Sequence, residues 1–242
     1  MKKIYIIGIG PGSYEQMTIQ AVQTLEQCDT IVGYPVYVDL IKPHFPEKKY
    51  LSTPMTQEVE RCKMCFEEAG KGKTVAIICS GDAGVYGMTG LMYVIGQNYP
   101  DIALEPVCGV TAAVSGAALL GAPLMQDFAV ISLSDLLTPW ETIEKRIRAA
   151  AQADMILCLY NPSSRKRHDY LQKACDLILN YASEDTVCGI AENIGREGET
   201  CALYSLKELR EVSVNMFTTV FIGNSQTVIA DGKMVTLRGY RL

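Results

Sequence analysis

The residues that could do chemistry gather in a few short blocks. The first is Gly8-Ile9-Gly10-Pro11-Gly12-Ser13, entered straight from the strand-forming run Lys3-Ile4-Tyr5-Ile6-Ile7. A strand that breaks into glycine before a helix brings backbone close to whatever binds at the carboxyl edge of a sheet. A dinucleotide loop would read G-x-G-x-x-G. Here the third glycine position holds Ser13, and Pro11 has no N–H to offer a pyrophosphate. The acidic residue such a loop needs about twenty positions later has only Asp29 as a candidate, and Asp29 precedes its strand. The block reads as a tight turn, or as the lining of a different ligand's site.

The second block is Ser80-Gly81-Asp82-Ala83-Gly84-Val85-Tyr86-Gly87-Met88. Small residues at a strand exit admit a flat ligand. Asp82 either holds a ribose hydroxyl or ammonium group, or caps the helix expected from Val85. The third is Gly109-Val110-Thr111-Ala112-Ala113. Thr111 is a helix N-cap there, or the free N–H groups grip a carboxylate or an adenine edge. The fourth, Ser132-Leu133-Ser134-Asp135-Leu136-Leu137-Thr138-Pro139-Trp140, is dense in polar groups and contains the only tryptophan. Thr138 as a cap, Pro139 at the first helical position and Glu141 in the first turn explain it as a helix start. Arg165, Arg167 and Arg196 follow strand ends, where arginine suits a substrate with several carboxylates.

The elements that position these blocks alternate. Strands are predicted over 3–7, 29–33, 74–79 and 102–107, and helices over 18–27, 35–41, 58–69, 85–95 and 112–120. That rhythm means a mainly parallel sheet covered on both faces. Its three glycine-rich exits, 8–13, 80–84 and 108–111, then share one edge and one site. Gly121-Ala122-Pro123 ends this half, so two α/β domains are expected, 1–123 and 124–242. In the second, strands at 128–132, 155–160, 187–191, 201–204, 219–222 and 227–230, with helices to about 151 and over 167–181, imply a mixed sheet. Asp231-Gly232 reads as a hairpin turn.

Composition narrows the class. The 242 residues are 48% hydrophobic and 20% charged with a net charge of -5, which gives no electrostatic case for nucleic acid. No apolar run is long enough to span a bilayer, so no membrane is expected and the location expected is cytoplasmic. Nine cysteines at scattered spacing fit small buried thiols rather than a disulfide framework. Cys62-Lys63-Met64-Cys65 lacks a second pair, and with only His44 and His168 in the chain no metal site is expected. So few histidines leave little general acid–base chemistry. Transfer from an activated donor, where positioning does most of the work, suits the chain better.

The motifs GIGPGS, SGDAGVYGM, CGVTAA, ISLSDLLTPWETIEKRI, LYNPSSR, NIGREGE, TTVFIGNSQT and MVTLRGYRL occur in this order. Together they resemble the tetrapyrrole (corrin and porphyrin) methylases, the class III S-adenosylmethionine methyltransferases, essentially end to end. Within that family they are most similar to the branch that methylates C-17 of precorrin-3B or cobalt-factor III in cobalamin synthesis. The resemblance implies two α/β domains with the active site in a cleft between them, a homodimer, and S-adenosylmethionine as cosubstrate, leaving as S-adenosylhomocysteine. Donor contacts would come from Pro11, Gly81, Asp82, Val85, Tyr86, Thr111, Ala112, Tyr160, Asn161, Ala191, Asn193 and Thr218. The corrinoid would meet Gly10, Gly12, Ser13, Arg165, Arg167 and Arg196, and any cobalt would belong to the substrate. Ring contraction needs proton movement, for which Asp135, Ser134, Thr138 and Tyr86 are the candidates.

The chain departs from the family pattern at Ser13 and Ala83, where many members carry aspartate and proline; both forms fit the anaerobic, cobalt-loaded branch. Glu192 sets a carboxylate beside the expected donor site. A sibling methylase acting on another ring carbon, a nicotinamide oxidoreductase and a non-catalytic tetrapyrrole carrier are the alternative readings.

Overall fold

The apolar run after the N-terminus enters a sheet buried on both sides. In the computed structural model, which describes residues 2–164 and 168–240, it forms β1 (Lys2–Gly8). There follow α1 (Ile19–Gln27), β2 (Thr30–Gly33), α2 (Pro35–Ile41), β3 (Lys49–Ser52), α3 (Glu58–Gly70), β4 (Val75–Cys79), α4 (Thr89–Gly96) and β5 (Ile102–Val107). These strands lie in the order β3-β2-β4-β1-β5, and every pairing is parallel.

Parallel strands need crossovers, and right-handed crossovers place a helix according to the direction of the step. The steps from β1 to β2 to β3 run one way along the sheet. Their helices α1 and α2 share a face, where Ala21, Leu25, Val38 and Ile41 pack with Ile7, Ile31 and Ile78. The steps from β3 to β4 to β5 run the other way. On that opposite face, Cys62, Phe66 and Met92 of α3 and α4 pack with Ile4, Ile6 and Ile77. Both faces are covered, so β4 and residues 4–7 of β1 run apolar or aromatic rather than alternating with polar residues. Thr18 caps α1, its Oγ1 accepting from the Ala21 N–H at 3.1 Å, and Pro35 opens α2.

The chain divides into two units at Thr111/Ala112, earlier than the expected 123/124. The reason is α5 (Ala112–Leu120), whose small residues lie flush on the second sheet. A Cβ on Gly116 would come within 2.9 Å of the Phe221 ring, and one on Gly189 within 2.8 Å of Leu120. After α5 come β6 (Gly121–Ala122), β7 (Phe128–Ser132), α6 (Trp140–Gln152), β8 (Ile156–Tyr160), α7 (Tyr170–Ile178), β9 (Val187–Glu192), β10 (Thr200–Ser205), α8 (Leu206–Leu209), β11 (Thr218–Ile222), β12 (Thr227–Ala230) and β13 (Lys233–Thr236).

The main sheet of this unit runs β10-β9-β11-β8-β7 and is mixed, with only β7 and β8 parallel neighbours. Helices α6, α7 and α8 cover one face through Ile143, Ile147, Leu171, Ile178 and Leu206. Ala113, Ala117 and Leu120 of α5 join Phe221 and Met234 on the other. A small sheet, β12-β13-β6, pairs Gly121-Ala122 with β13, so the break expected at 121–123 is instead a strand. Asp231 (φ 49°) and Gly232 (φ 69°) make the predicted hairpin between β12 and β13.

Three helix starts differ from expectation, the simplest being α7, which begins at Tyr170 rather than at 167. Helix α4 begins at Thr89, not Val85, because the Ala83 carbonyl accepts from both the N–H (3.1 Å) and the hydroxyl (2.7 Å) of Thr89, closing 83–88 into a loop. Helix α6 begins at Trp140 with Pro139 in the cap position, and no side-chain hydrogen bond caps it, so Thr138 is not its cap. Strand β3 joins the sheet edge as an element the sequence pattern did not suggest. Among the described residues, no helix is long and apolar enough to cross a membrane.

Candidate functional site

In the first sheet β4, β1 and β5 are consecutive and parallel, so their carboxyl ends emerge side by side. The three glycine-rich exits meet there backbone to backbone. Gly10 and Gly81 exchange both hydrogen bonds, N–H to O at 3.1 and 2.7 Å. A Cβ on Gly8 would lie 2.6 Å from the Gly81 oxygen and 2.7 Å from the Gly109 nitrogen. One on Gly109 would lie 2.2 Å from the same Gly81 oxygen. At Gly8 and Gly109 glycine is required because main chains touch, whereas Gly10 (φ 74°) and Gly81 (φ 67°) also take left-handed dihedrals that favour it.

Asp82 locks the arrangement. Its Oδ1 accepts from the Gly84 N–H at 2.8 Å and its Oδ2 from the Gly109 N–H at 2.9 Å. The carboxylate therefore ties the β4 exit to the β5 exit, and it is not the helix cap that the spacing allowed. Thr18 adds a further tie, its hydroxyl donating to the Cys108 carbonyl at 3.2 Å.

What the edge presents outward is the loop over 84–87. Val85 and Tyr86 are exposed, and Tyr86 sits at φ 53°. That left-handed conformation is uncommon for a bulky residue and marks a loop held by its surroundings. Gly10 and Pro11 are buried, Gly12 and Ser13 half-buried. Gly10 has both backbone polar groups bonded to Gly81. Ser13 precedes a 3-10 turn over Tyr14–Gln16, and the Tyr14 ring stacks on His44 with centroids 4.4 Å apart.

The second unit gathers its own candidates on one sheet edge. Strands β7, β8 and β9 point the same way, and β11 starts where they end. Asn161, at φ 51°, donates its amide to Ser132 Oγ at 2.9 Å, and Ser132 also accepts from the Ser134 N–H. The Tyr160 hydroxyl accepts from the Ala113 N–H at 2.6 Å, so it satisfies a helix-terminal donor of α5. Asn193, also at φ 51°, follows β9. Ala191 and Thr218 are buried. Glu192, unexplained by the sequence, accepts from the Asn215 amide at 2.6 Å, and Asn215 in turn bonds Thr218. Arg196 lies with its guanidinium 5.5 Å from the Phe217 ring. Arg165 and Arg167 lie outside the described residues.

Asp135 has a partner that sequence reading missed. The Tyr170 hydroxyl donates to Asp135 Oδ2 at 2.6 Å, across 35 positions of sequence. Tyr170 packs on the single tryptophan, Trp140, with centroids 4.5 Å apart, and Lys173 Nζ lies 4.9 Å over the Tyr170 ring. Nothing in the sequence pairs these residues; only the start of α7 beside the 133–140 loop does.

All nine cysteines are free and seven are buried. Burial pushes the Cys62 thiol up to about 12 and raises Cys65 well above the ordinary thiol value. The thiolate is the reactive and metal-binding form, so the CxxC pair acts as core packing. Among the described residues no group of three or more His, Cys, Asp or Glu could hold a metal ion.

A family model described as tetrapyrrole (corrin/porphyrin) methylases matches residues 3–210. The chain is 44% identical over 238 residues to a Salmonella typhimurium protein named probable cobalt-factor III C(17)-methyltransferase, spanning 98% of this chain and 99% of that one. It is also 44% identical over 244 residues to the cobalt-factor III methyltransferase of Priestia megaterium, but spans only 45% of that longer protein. The crystal structure of the methyltransferase CobJ superposes with a TM-score of 0.90 at 28% identity, covering 98% of this chain and all of that one.

Proposed function

The chain belongs to the tetrapyrrole (corrin/porphyrin) methylase family, and from that premise we propose that it transfers the methyl group of S-adenosylmethionine to C-17 of cobalt-factor III in cobalamin synthesis. The observation that carries this is the identity of 44%, essentially end to end, with a relative named for that reaction. The nicotinamide reading has no such support, and Pro11 lacks the N–H a pyrophosphate loop needs.

The residues present fit such a donor. It combines a flat base, a ribose and a charged amino-acid end, and the 84–87 loop offers exposed backbone and an aromatic ring beside fixed strand ends. We assign Pro11, Gly81, Asp82, Val85, Tyr86, Thr111, Ala112, Tyr160, Asn161, Ala191, Asn193 and Thr218 to donor contacts. Asp82 acts by holding two loops in register. Tyr160 acts through its ring, since its hydroxyl bonds α5. The bound donor supplies an electrophilic sulfonium methyl.

The protein's part is to align that methyl with the electron-rich ring carbon and to exclude water, so no nucleophile is required. Ring contraction calls for proton movement. The 2.6 Å hydrogen bond that the Tyr170 hydroxyl donates to Asp135 holds that carboxylate in place and makes Asp135 the foremost candidate, ahead of Ser134, Thr138 and Tyr86. Gly10, Gly12, Ser13 and Arg196, with Arg165 and Arg167, are assigned to the corrinoid, and cobalt is substrate rather than a protein ligand. The assembly is proposed to be a homodimer and its location cytoplasmic.

The test is anaerobic incubation with cobalt-factor III and methyl-labelled S-adenosylmethionine, followed by mass and NMR analysis. Label at C-17 of a ring-contracted product is expected. Label on another ring carbon points to a sibling methylase. Turnover of metal-free precorrin-3B in preference would overturn the cobalt-loaded assignment.

A further inference from the structure

The first unit contains a recess of about 210 Å³ walled by Tyr34, Met55, Glu58, Tyr86 and Met88, and Arg61 lines it from the first turn of α3. Arg61 is only 5% exposed. Its Nη2 donates to the Thr53 and Pro54 carbonyls, both at 3.0 Å, and its guanidinium lies 5.8 Å from the Tyr34 ring. Its Nε–H is buried and has no partner. Glu58 stands on the same wall, but its Oε1 accepts from the Thr56 N–H at 3.2 Å, and among the described residues no carboxylate pairs with Arg61. A guanidinium taken out of water without a counter-charge is strongly unfavourable unless something supplies one. The Nη2 bonds fix its plane and leave the Nε and Nη1 donors preorganised. A donor on a charged guanidinium held in this way can give a carboxylate a charge-assisted hydrogen bond.

We propose that Arg61 is the carboxylate-anchoring residue of this recess, with the Tyr34 and Tyr86 rings and the two methionines packing on the carbons that carry the acid. Tyr86 belongs to the loop at the β4 exit, so the recess adjoins the donor loop within the same unit. The inference rests on the function proposed above, whose ligands bring carboxylates from two sources: the amino-acid end of the donor and the acid side arms of the macrocycle.

Equilibrium binding separates the sources. S-adenosylhomocysteine is compared with 5′-methylthioadenosine, which lacks the amino-acid end, and cobalt-factor III with its methyl ester. Each is titrated into the wild type, Arg61→Lys and Arg61→Met. Loss of a charge-assisted bond corresponds to a drop of about 10- to 100-fold in affinity. A drop for S-adenosylhomocysteine alone supports the inference and assigns the donor's acid end. A drop for cobalt-factor III alone supports it and assigns a side arm. Arg61→Lys falls between wild type and Arg61→Met, because it keeps the charge without the fixed planar donors. Wild-type affinity for every probe in a normally folded Arg61→Met overturns the inference.

Should Arg61→Met fail to fold, the wild-type Arg61 Nε–H resonance, assigned by its absence from Arg61→Lys, provides the readout. A downfield move on ligand addition supports the anchor, and an unmoved signal with ligand bound overturns it. Failure of wild type to bind S-adenosylhomocysteine at all sinks the methyltransferase reading itself, a distinct outcome.

Discussion

Replacing Asp82 by alanine is expected to weaken the fold as well as donor binding. The side chain accepts two backbone N–H groups, from Gly84 at 2.8 Å and Gly109 at 2.9 Å. A hydrogen bond to a charged group contributes about 1.5–3 kcal/mol net. Asp82 is half-buried, so water recovers part of that in the variant. A loss of about 2–4 kcal/mol in all follows, with roughly half of it for Asp82→Asn, which keeps one acceptor. For a protein of this size that is a fall in Tm of about 2–4 °C per kcal/mol, or about 4–16 °C for alanine. Donor affinity falls with it, because the Gly109 bond holds the 108–111 loop against the β4 exit. Thermal and urea unfolding, with calorimetric titration of S-adenosylhomocysteine, measure both quantities on the same samples. An Asp82→Ala protein that melts within about 1 °C of wild type would refute the idea that this carboxylate ties the loops.

The same packing makes Gly109→Ala costly, since its Cβ meets main-chain oxygen at 2.2 Å. A loss above about 3 kcal/mol in urea titration is expected, whereas Gly70→Ala, with nothing within 4 Å, should be neutral or slightly stabilising. A thiol reagent should label two cysteines of the native chain, Cys108 and Cys201, and all nine after denaturation; rapid native labelling at Cys62 or Cys65 would contradict their burial. Lys49 and Lys71, each 2.7 Å from Glu68, hold its carboxyl down at about 2. Because the folded value lies below the ordinary carboxylate range, the stability it contributes is complete above that range and is lost as pH falls toward 2. The urea midpoints of wild type and Glu68→Gln should accordingly converge as the pH is lowered. Asp135→Asn should leave S-adenosylhomocysteine affinity unchanged while slowing appearance of the ring-contracted product at least about 10-fold, read by NMR; an unaltered rate would remove Asp135 from the proton path.

Periodicity alone determined the strand–helix alternation of the first unit, its parallel sheet and the mixed sheet of the second. Continuous runs such as Val75–Cys79 can be satisfied only between two helical layers, and Asp231-Gly232 suits the left-handed dihedrals of a tight hairpin. The three glycine exits were legible for a similar local reason, since each glycine block directly follows a strand. Other features depended on contacts that leave no local trace. The small residues of α5 define no apolar face, so its allegiance to the second unit rests on the rings and side chains it meets, Phe221 above all. Helix α4 starts late because Thr89 bonds back to Ala83 and Tyr86 takes a positive φ, neither of which its residue types demand. Tyr170 reaches Asp135, and Asp82 reaches Gly109, only after distant segments are set side by side. Local sequence fixes dihedral preference and which face is apolar; the partner of a polar group is chosen by the packing that removes water from around it.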